Sequence, residues 1–331
     1  MGWTAVLLDG HDAGAVARAA AALAAGELVA FPTETVYGLG ARADDDAAVA
    51  KVFAAKGRPA EHPLIVHVAD AADAALFAAR MPLVAQRLID ALWPGPLTVI
   101  VERAAGMAGA AAGGQGSIGL RCPAHPVAKA LLTAARGLGV AGVAAPSANR
   151  FGRISPTRAA HVVEAFGDAL WVLDGGACRV GIESAIVDCS RGRPVLLRPG
   201  VLTRAQIEAA AGEPLHEPDA EAPRASGTLA AHYAPQAKLR LMPSATLDTA
   251  LRLLGDRPPR LAVYSRSLPA HAGQGVLHRR MPSRPEAAAH ELFQVLRELD
   301  AEGVPLIWVE EPPPAVEWDG VRDRLKRAAA S

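Results

Sequence analysis

The sequence predicts an α/β protein in two parts, a larger domain over residues 1–200 and a smaller one over 238–331. Three observations carry this. The 331 residues exceed what one hydrophobic core usually organises. Strand-like and helix-like segments alternate along both parts. Residues 199–237 break that alternation with a stretch rich in Pro, Ala and Glu.

The elements follow in order. Residues 13–25 form an alanine-rich helix stopped by Gly26, and 28–31 a short apolar strand entering a loop over 32–40. Asp44, Asp45 and Asp46 offer N-caps to a helix whose inner stripe is Val49, Val52 and Phe53. Gly57 and Pro59 end it, leaving Lys56 and Arg58 at its C-terminal edge. A strand over 64–68 precedes a helix capped by Asp70. Pro82 opens another helix, striped by Val84, Leu88 and Leu92, and Trp93-Pro94-Gly95-Pro96 turns the chain into a strand over 97–101. A glycine-rich loop at 113–116 leads to a strand over 118–121. A strand over 140–145 enters the polar run 146–156, where Ser155-Pro156 has the N-cap then N1 order of a helix start. Strands near 171–174, 184–189 and 195–198 complete the first domain. The linker holds one short helix, 204–211. Beyond it, strands at 239–242, 261–264 and 306–309 alternate with helices at 284–302 and 316–329, the pattern of a small parallel layer.

Composition narrows the function. Lys plus Arg and Asp plus Glu are 34 each, so the basic excess of a protein that coats nucleic acid is missing. Cys122, Cys178 and Cys189 lack paired or zinc-binding spacing and read as buried thiols of a reducing compartment. The first residues have no signal-peptide pattern, and Arg18 and Glu27 interrupt the apolar stretch 13–31, so a cytoplasmic protein without a membrane span is expected. Gly38-Leu-Gly40-Ala-Arg-Ala43 matches a dinucleotide fingerprint, but three aspartates stand where a helix should receive pyrophosphate. No P-loop and no H-E-x-x-H occur.

What remains is chemistry in turns. A turn that only reverses direction is made of Gly, Pro, Asn, Asp and Ser, yet these turns carry Thr33, Thr35, Lys56, Arg58, His62 and His67. Lys56 and Arg58 alone would pass as a cationic helix end. A second polar loop with Ser147, Asn149 and Ser155 follows another strand, and Arg121 and Arg198 each end a strand. Ligands of open α/β sheets gather beyond strand carboxyl ends. A lysine and three arginines there suit a substrate pair bearing a triphosphate and a carboxylate.

Eight motifs appear in one order: Pro32-Thr-Glu-Thr-Val-Tyr-Gly-Leu-Gly40, Lys56-Gly-Arg-Pro59, Pro63-Leu-Ile-Val-His67, Trp93-Pro-Gly-Pro-Leu-Thr98, Ala145-Pro-Ser-Ala-Asn149, Glu183-Ser184, Leu197-Arg-Pro-Gly200 and His232-Tyr-Ala-Pro235. Together they resemble the threonylcarbamoyl-AMP synthase family, the YrdC-like domain in its long form with a C-terminal domain. The resemblance implies a YrdC-like α/β catalytic domain with a twisted mixed sheet over 1–200, a linker and lid over 201–237, and a smaller Rossmann-like α/β domain over 238–331. It implies a nucleotidyltransferase that makes threonylcarbamoyl-AMP and pyrophosphate from L-threonine, bicarbonate or CO2, and ATP. The product would pass to the tRNA threonylcarbamoyl transferase for t6A modification at adenosine 37 of ANN-decoding tRNAs; direct tRNA binding is compatible with this but not required. By the same resemblance, L-threonine falls to Thr35, His67, Arg121, Ala145 and Ser184. ATP falls to Arg58, His62, Ser117, Ser147, Ser155, Arg198 and Tyr233, and Lys56, Arg58 and Asn149 are catalytic. His62 departs from the asparagine common at that place. Mg2+ would arrive on the triphosphate, with no metal site of the protein's own.

Overall fold

The computed structural model describes residues 6–167, 170–254, 260–269 and 275–331. The chain divides into two compact units, residues 1–151 with 155–228, and residues 152–154 with 229–331. Residues 201–237, expected as a linker, are thus shared between them.

The first unit is built on β1 (Val6–Asp9), α1 (Ala13–Ala24), β2 (Val29–Phe31), β3 (Gly38–Arg42), α2 (Asp46–Lys56), β4 (Ile65–His67), α3 (Leu83–Leu92), β5 (Leu97–Glu102), β6 (Ser117–Arg121), α4 (Pro126–Gly137), β7 (Val143–Ala144), α5 (Ala159–Phe166), β8 (Trp171–Asp174), β9 (Ala185–Asp188), β10 (Val195–Arg198) and α6 (Arg204–Ala211). Its ten strands form one mixed sheet in the order β1-β8-β2-β3-β7-β4-β6-β5-β9-β10. The sequence accounts for the helix limits. Asp45 caps α2 by accepting from the N–H groups of Ala47 and Ala48, and Gly57 ends it in the left-handed conformation at φ 64°. Val49, Val52 and Phe53 are buried on its inner face. Lys56 is therefore pinned as the last helical residue, turned inward.

The structure departs from the expected elements in informative places. The loop expected over 32–40 ends early: residues 38–40 already belong to strand β3, antiparallel to β2. A Cβ on Gly40 would stand 2.7 Å from Val143 Cγ1 and 2.8 Å from Phe31 Cε1. The glycine lets neighbouring side chains close over the strand, and no strand-to-helix turn for a dinucleotide exists there. The helix expected from Ser155-Pro156 begins at Ala159. Residues 155–157 stay extended because the Pro156 carbonyl accepts from Tyr37 N–H and the Thr157 carbonyl from Cys178 N–H. A favourable helix dipole at Ser155 is therefore ruled out. The segment after Asp70 is a 3-10 helix, Ala71–Leu76, and the strand expected over 140–145 shrinks to Val143–Ala144. Strand β1 and helix α4, whose Pro126 sits at a helix start, had not been anticipated.

The second unit holds β11 (Lys238–Met242), α7 (Ser244–Leu253), β12 (Leu261–Ser265), β13 (Val276–Arg280), α8 (Pro285–Ala301), β14 (Leu306–Glu310) and α9 (Asp319–Ala329). Its four strands are all parallel in the order β11-β14-β12-β13, the Rossmann-like layer expected. Leu247, Leu251, Leu261, Val263 and Leu268 form a core cluster. α7 and β13 were not legible in the sequence.

Candidate active site

Every candidate residue except Tyr233 lies in the first unit. Lys56 ends α2 buried, and its Nζ donates to the carbonyls of Ser147, at 2.5 Å, and Asn149. Burial, then the charge of Arg58, holds the ammonium well below its ordinary pKa, with Glu183 opposing. Asn149 is buried beside it and donates from Nδ2 to the Arg150 carbonyl at 2.7 Å. A surface helix cap would need none of this.

Two arginines converge on one residue. Arg58 donates from Nη2 to the Pro63 carbonyl at 3.0 Å and to Ser226 Oγ at 3.4 Å. Arg198 donates from Nη1 to the Ser226 carbonyl at 2.7 Å, and from Nε and Nη2 to the Ser184 carbonyl at 3.0 and 2.9 Å. Nη2 also reaches Ser184 Oγ at 3.2 Å, which lies 2.8 Å from Thr98 Oγ1. Both guanidiniums are buried, 7% and 2% exposed. His62 is half-buried with its ring 5.5 Å from Phe151, and burial, then Arg58, lowers its pKa.

A third group surrounds Arg121, at the end of β6 and beside His67 across the parallel β4–β6 pair. Its Nη2 donates to Glu34 Oε1 at 2.6 Å and its Nε to the Gly95 carbonyl at 3.3 Å. Burial, then the charge of Arg121, presses the His67 imidazole down to about 3, so it is neutral at ordinary pH. Its Nδ1 donates to the Ile65 carbonyl at 3.2 Å. Ala145 N–H also donates to Ile65, which fixes Ala145 beside that strand. Thr35 is fully buried, its Oγ1 2.8 Å from Thr33 Oγ1, and its carbonyl accepts from Gly181 N–H. Ser155 donates to Glu183 Oε1 at 2.5 Å.

The segment 224–226 lies over the first-unit sheet. Arg224 and Gln115 exchange hydrogen bonds, Arg224 N–H to Oε1 at 2.8 Å and Nε2 to the Arg224 carbonyl at 3.1 Å. Beneath, Pro63, Ile65, Thr98, Ser117 and Ser226 line a cleft of about 10 Å3, room for one water. Ser117 and Ser147 are both half-buried, and Ser147 bridges Gly38. Tyr233 is buried in the second unit, at φ 64°, with its ring 4.1 Å from His232 and 5.4 Å from Phe293.

The Sua5/YciO/YrdC family model, described as telomere recombination, matches residues 21–200, and the model of the threonylcarbamoyl-AMP synthase C-terminal domain matches residues 202–330. The chain belongs to the threonylcarbamoyl-AMP synthase family. It is 36% identical over 320 residues to the threonylcarbamoyl-AMP synthase of Pyrococcus abyssi, covering 92% of this chain and 91% of that one. It is 36% identical over 326 residues to the Bacillus subtilis enzyme of that name, covering 95% and 92%. The crystal structure of P. abyssi Sua5 complexed with L-threonine superimposes with a TM-score of 0.86 at 33% identity, covering 98% of this chain and 97% of that one. Within the threonylcarbamoyl-AMP synthase family, the long form carries both domains, as this chain does.

Sequence reasoning gave no role to Glu34, Thr98, Glu183 or Ser226. Glu34 had a legible signal, since an acid inside an apolar turn demands a cation when buried. Ser226 had none, because its place depends on how the linker folds back.

Proposed function

We propose that this chain is an L-threonylcarbamoyladenylate synthase, a cytoplasmic nucleotidyltransferase. L-Threonine and bicarbonate or CO2 give the carbamate, whose oxygen attacks the α-phosphorus of ATP and expels pyrophosphate. One observation carries the reading. Lys56, Arg58, Arg121 and Arg198, scattered along the chain, are all buried and aimed at loop oxygens. Arg121 is balanced by Glu34, and a lysine and three arginines gathered at strand and helix ends of one unit suit a substrate pair bearing a triphosphate and a carboxylate.

Arg121, beside His67, takes the threonine carboxylate; the family resemblance adds Thr35, Ala145 and Ser184 to the amino-acid site. Hydrogen bonds to the threonine hydroxyl reject valine, which would leave buried polar groups unpaired. Arg58, His62, Ser117, Ser147, Ser155 and Arg198 hold the nucleotide; the family resemblance adds Tyr233. Lys56, Arg58 and Asn149 stabilise charge that develops on phosphorus oxygens. Such a displacement asks for positioning and electrostatics and for little covalent chemistry. Mg2+ enters with ATP as part of the substrate. The triphosphate supplies ligands to that ion, as is usual for Mg2+ bound with a nucleotide. Segment 224–226, which lines the same cleft as Pro63, Thr98 and Ser117, is placed to close over the nucleotide against bulk water. The product supplies t6A modification of ANN-decoding tRNAs through the tRNA threonylcarbamoyl transferase.

The test mixes the full chain with MgATP, bicarbonate and each amino acid in turn while following pyrophosphate. Release that depends on L-threonine, and is weak with valine or serine, is expected. Release indifferent to the amino acid refutes the reading.

A further inference from the structure

We infer that Glu34 is a positioning residue for the amino-acid site, setting which N–H groups of Arg121 face the substrate carboxylate. The inference rests on the assignment of that carboxylate to Arg121.

Glu34 is 3% exposed and stands in the turn between β2 and β3, beside Thr33 and Thr35. Its two oxygens have different tasks. Oε1 accepts from Arg121 Nη2 at 2.6 Å, and Oε2 accepts from the N–H of Ala124, at 3.1 Å, just beyond the β6 strand that carries the arginine. The turn itself is tied down from another side. The carbonyls of Glu34 and Thr35 accept from the N–H groups of Val180 and Gly181 at 2.7 and 3.1 Å, and Thr33 Oγ1 donates to the Val36 carbonyl at 2.7 Å. Glu34 therefore has little freedom to follow a moving guanidinium; the guanidinium conforms to it.

A guanidinium presents its N–H groups in a fixed planar fork. On Arg121 the Nε–H goes to Gly95 and one Nη2–H goes to Glu34. The Nη1 pair and the second Nη2–H are left, enough for a two-pronged grip on a carboxylate. Without Glu34 the whole planar fork can turn about the Cδ–Nε bond and present a single N–H. Glu34 also balances the charge of Arg121, so the site that receives a zwitterionic amino acid starts close to neutral. A structural ion pair would need the same short contact but would leave threonine affinity untouched.

Glu34→Gln separates the two. An amide can satisfy Arg121 or Ala124 by accepting, but its NH2 then faces the donor at the other position, so one of the two bonds is lost. Glu34→Asp keeps the charge and shortens the arm. Three readouts are taken on the full chain: calorimetric binding of L-threonine without nucleotide, KM values for threonine and ATP in the pyrophosphate assay, and Tm. Glu34→Gln is expected to weaken threonine about tenfold or more in both binding and KM, the ratio for one lost hydrogen bond to a charged group. The KM for ATP should stay within about twofold, and Glu34→Asp should recover part of the loss. Unchanged threonine binding overturns the inference, as does a rise of both KM values in step with a lower Tm. If Glu34→Gln does not fold, Glu34→Asp alone decides by the same ratio. Wild-type chain that binds threonine but releases no pyrophosphate refutes the proposed reaction while leaving the positioning role to be read from binding. Wild-type chain that does not bind threonine overturns both.

Discussion

Replacing Lys56 by methionine isolates a buried charge whose removal should change stability little and activity greatly. The ammonium donates to the Ser147 and Asn149 carbonyls inside a desolvated site. Methionine fills much of the same space and leaves those two carbonyls without this donor, at about 1–3 kcal/mol each. Against this, the burial of an ammonium, several kcal/mol after relaxation, no longer has to be met. The two terms nearly offset, so the net change should lie within about 2 kcal/mol, or less than about 8 °C in Tm at roughly 2–4 °C per kcal/mol. Activity has no such offset. Loss of one preorganised donor to developing charge costs about 100- to 1,000-fold in kcat. The assays are thermal unfolding and pyrophosphate release at saturating threonine and ATP. Activity within about threefold of wild type, or a Tm lowered by more than about 15 °C, would refute the reasoning and make Lys56 a structural tie.

Two further outcomes follow from the same geometry. His67 has its folded pKa depressed to about 3 from an ordinary 6.5, so protons favour the unfolded chain; its contribution is complete above pH 6.5 and is lost as pH falls towards 3. At about pH 4.5 that loss reaches roughly 2–3 kcal/mol, and urea unfolding at pH 7.5 and 4.5 should show His67→Gln losing less than wild type by that amount; equal losses would contradict it. Gly40→Ala should destabilise by about 1–3 kcal/mol, because its Cβ meets Val143 and Phe31 well inside contact distance; an unchanged urea midpoint would show that the sheet yields there.

Local chemistry made much of the protein legible from residue order. Asp45 and Gly57 bound helix α2 because a cap and a left-handed stop act within a few residues. That boundary alone placed Lys56 and Arg58 next to one another in space. The motif order brought the family, and the alternation of strands and helices brought both α/β layers. Where the reading failed, a distant contact overrode a local preference. Residues 38–40 read as the end of a loop, yet they open strand β3, which pairs with β2 and β7. Ser155-Pro156 looked like a helix start, but Tyr37, Cys178 and Glu183 bind that stretch in extended form.

The candidate site divides along the same line. The residue types of a site for an anion and an amino acid stand in the sequence: threonines, a lysine, arginines and a neutral-prone histidine in turns. Their state does not. That His67 is neutral, that Lys56 is desolvated, that Arg121 has Glu34 for a partner and that Arg58 and Arg198 meet at Ser226 are consequences of burial and of pairs some 28 to 168 residues apart. Charge and hydrogen-bonding capacity are carried by single residues, so sequence determines them; dielectric surroundings and partners are properties of neighbours in space, and only the tertiary structure decides those.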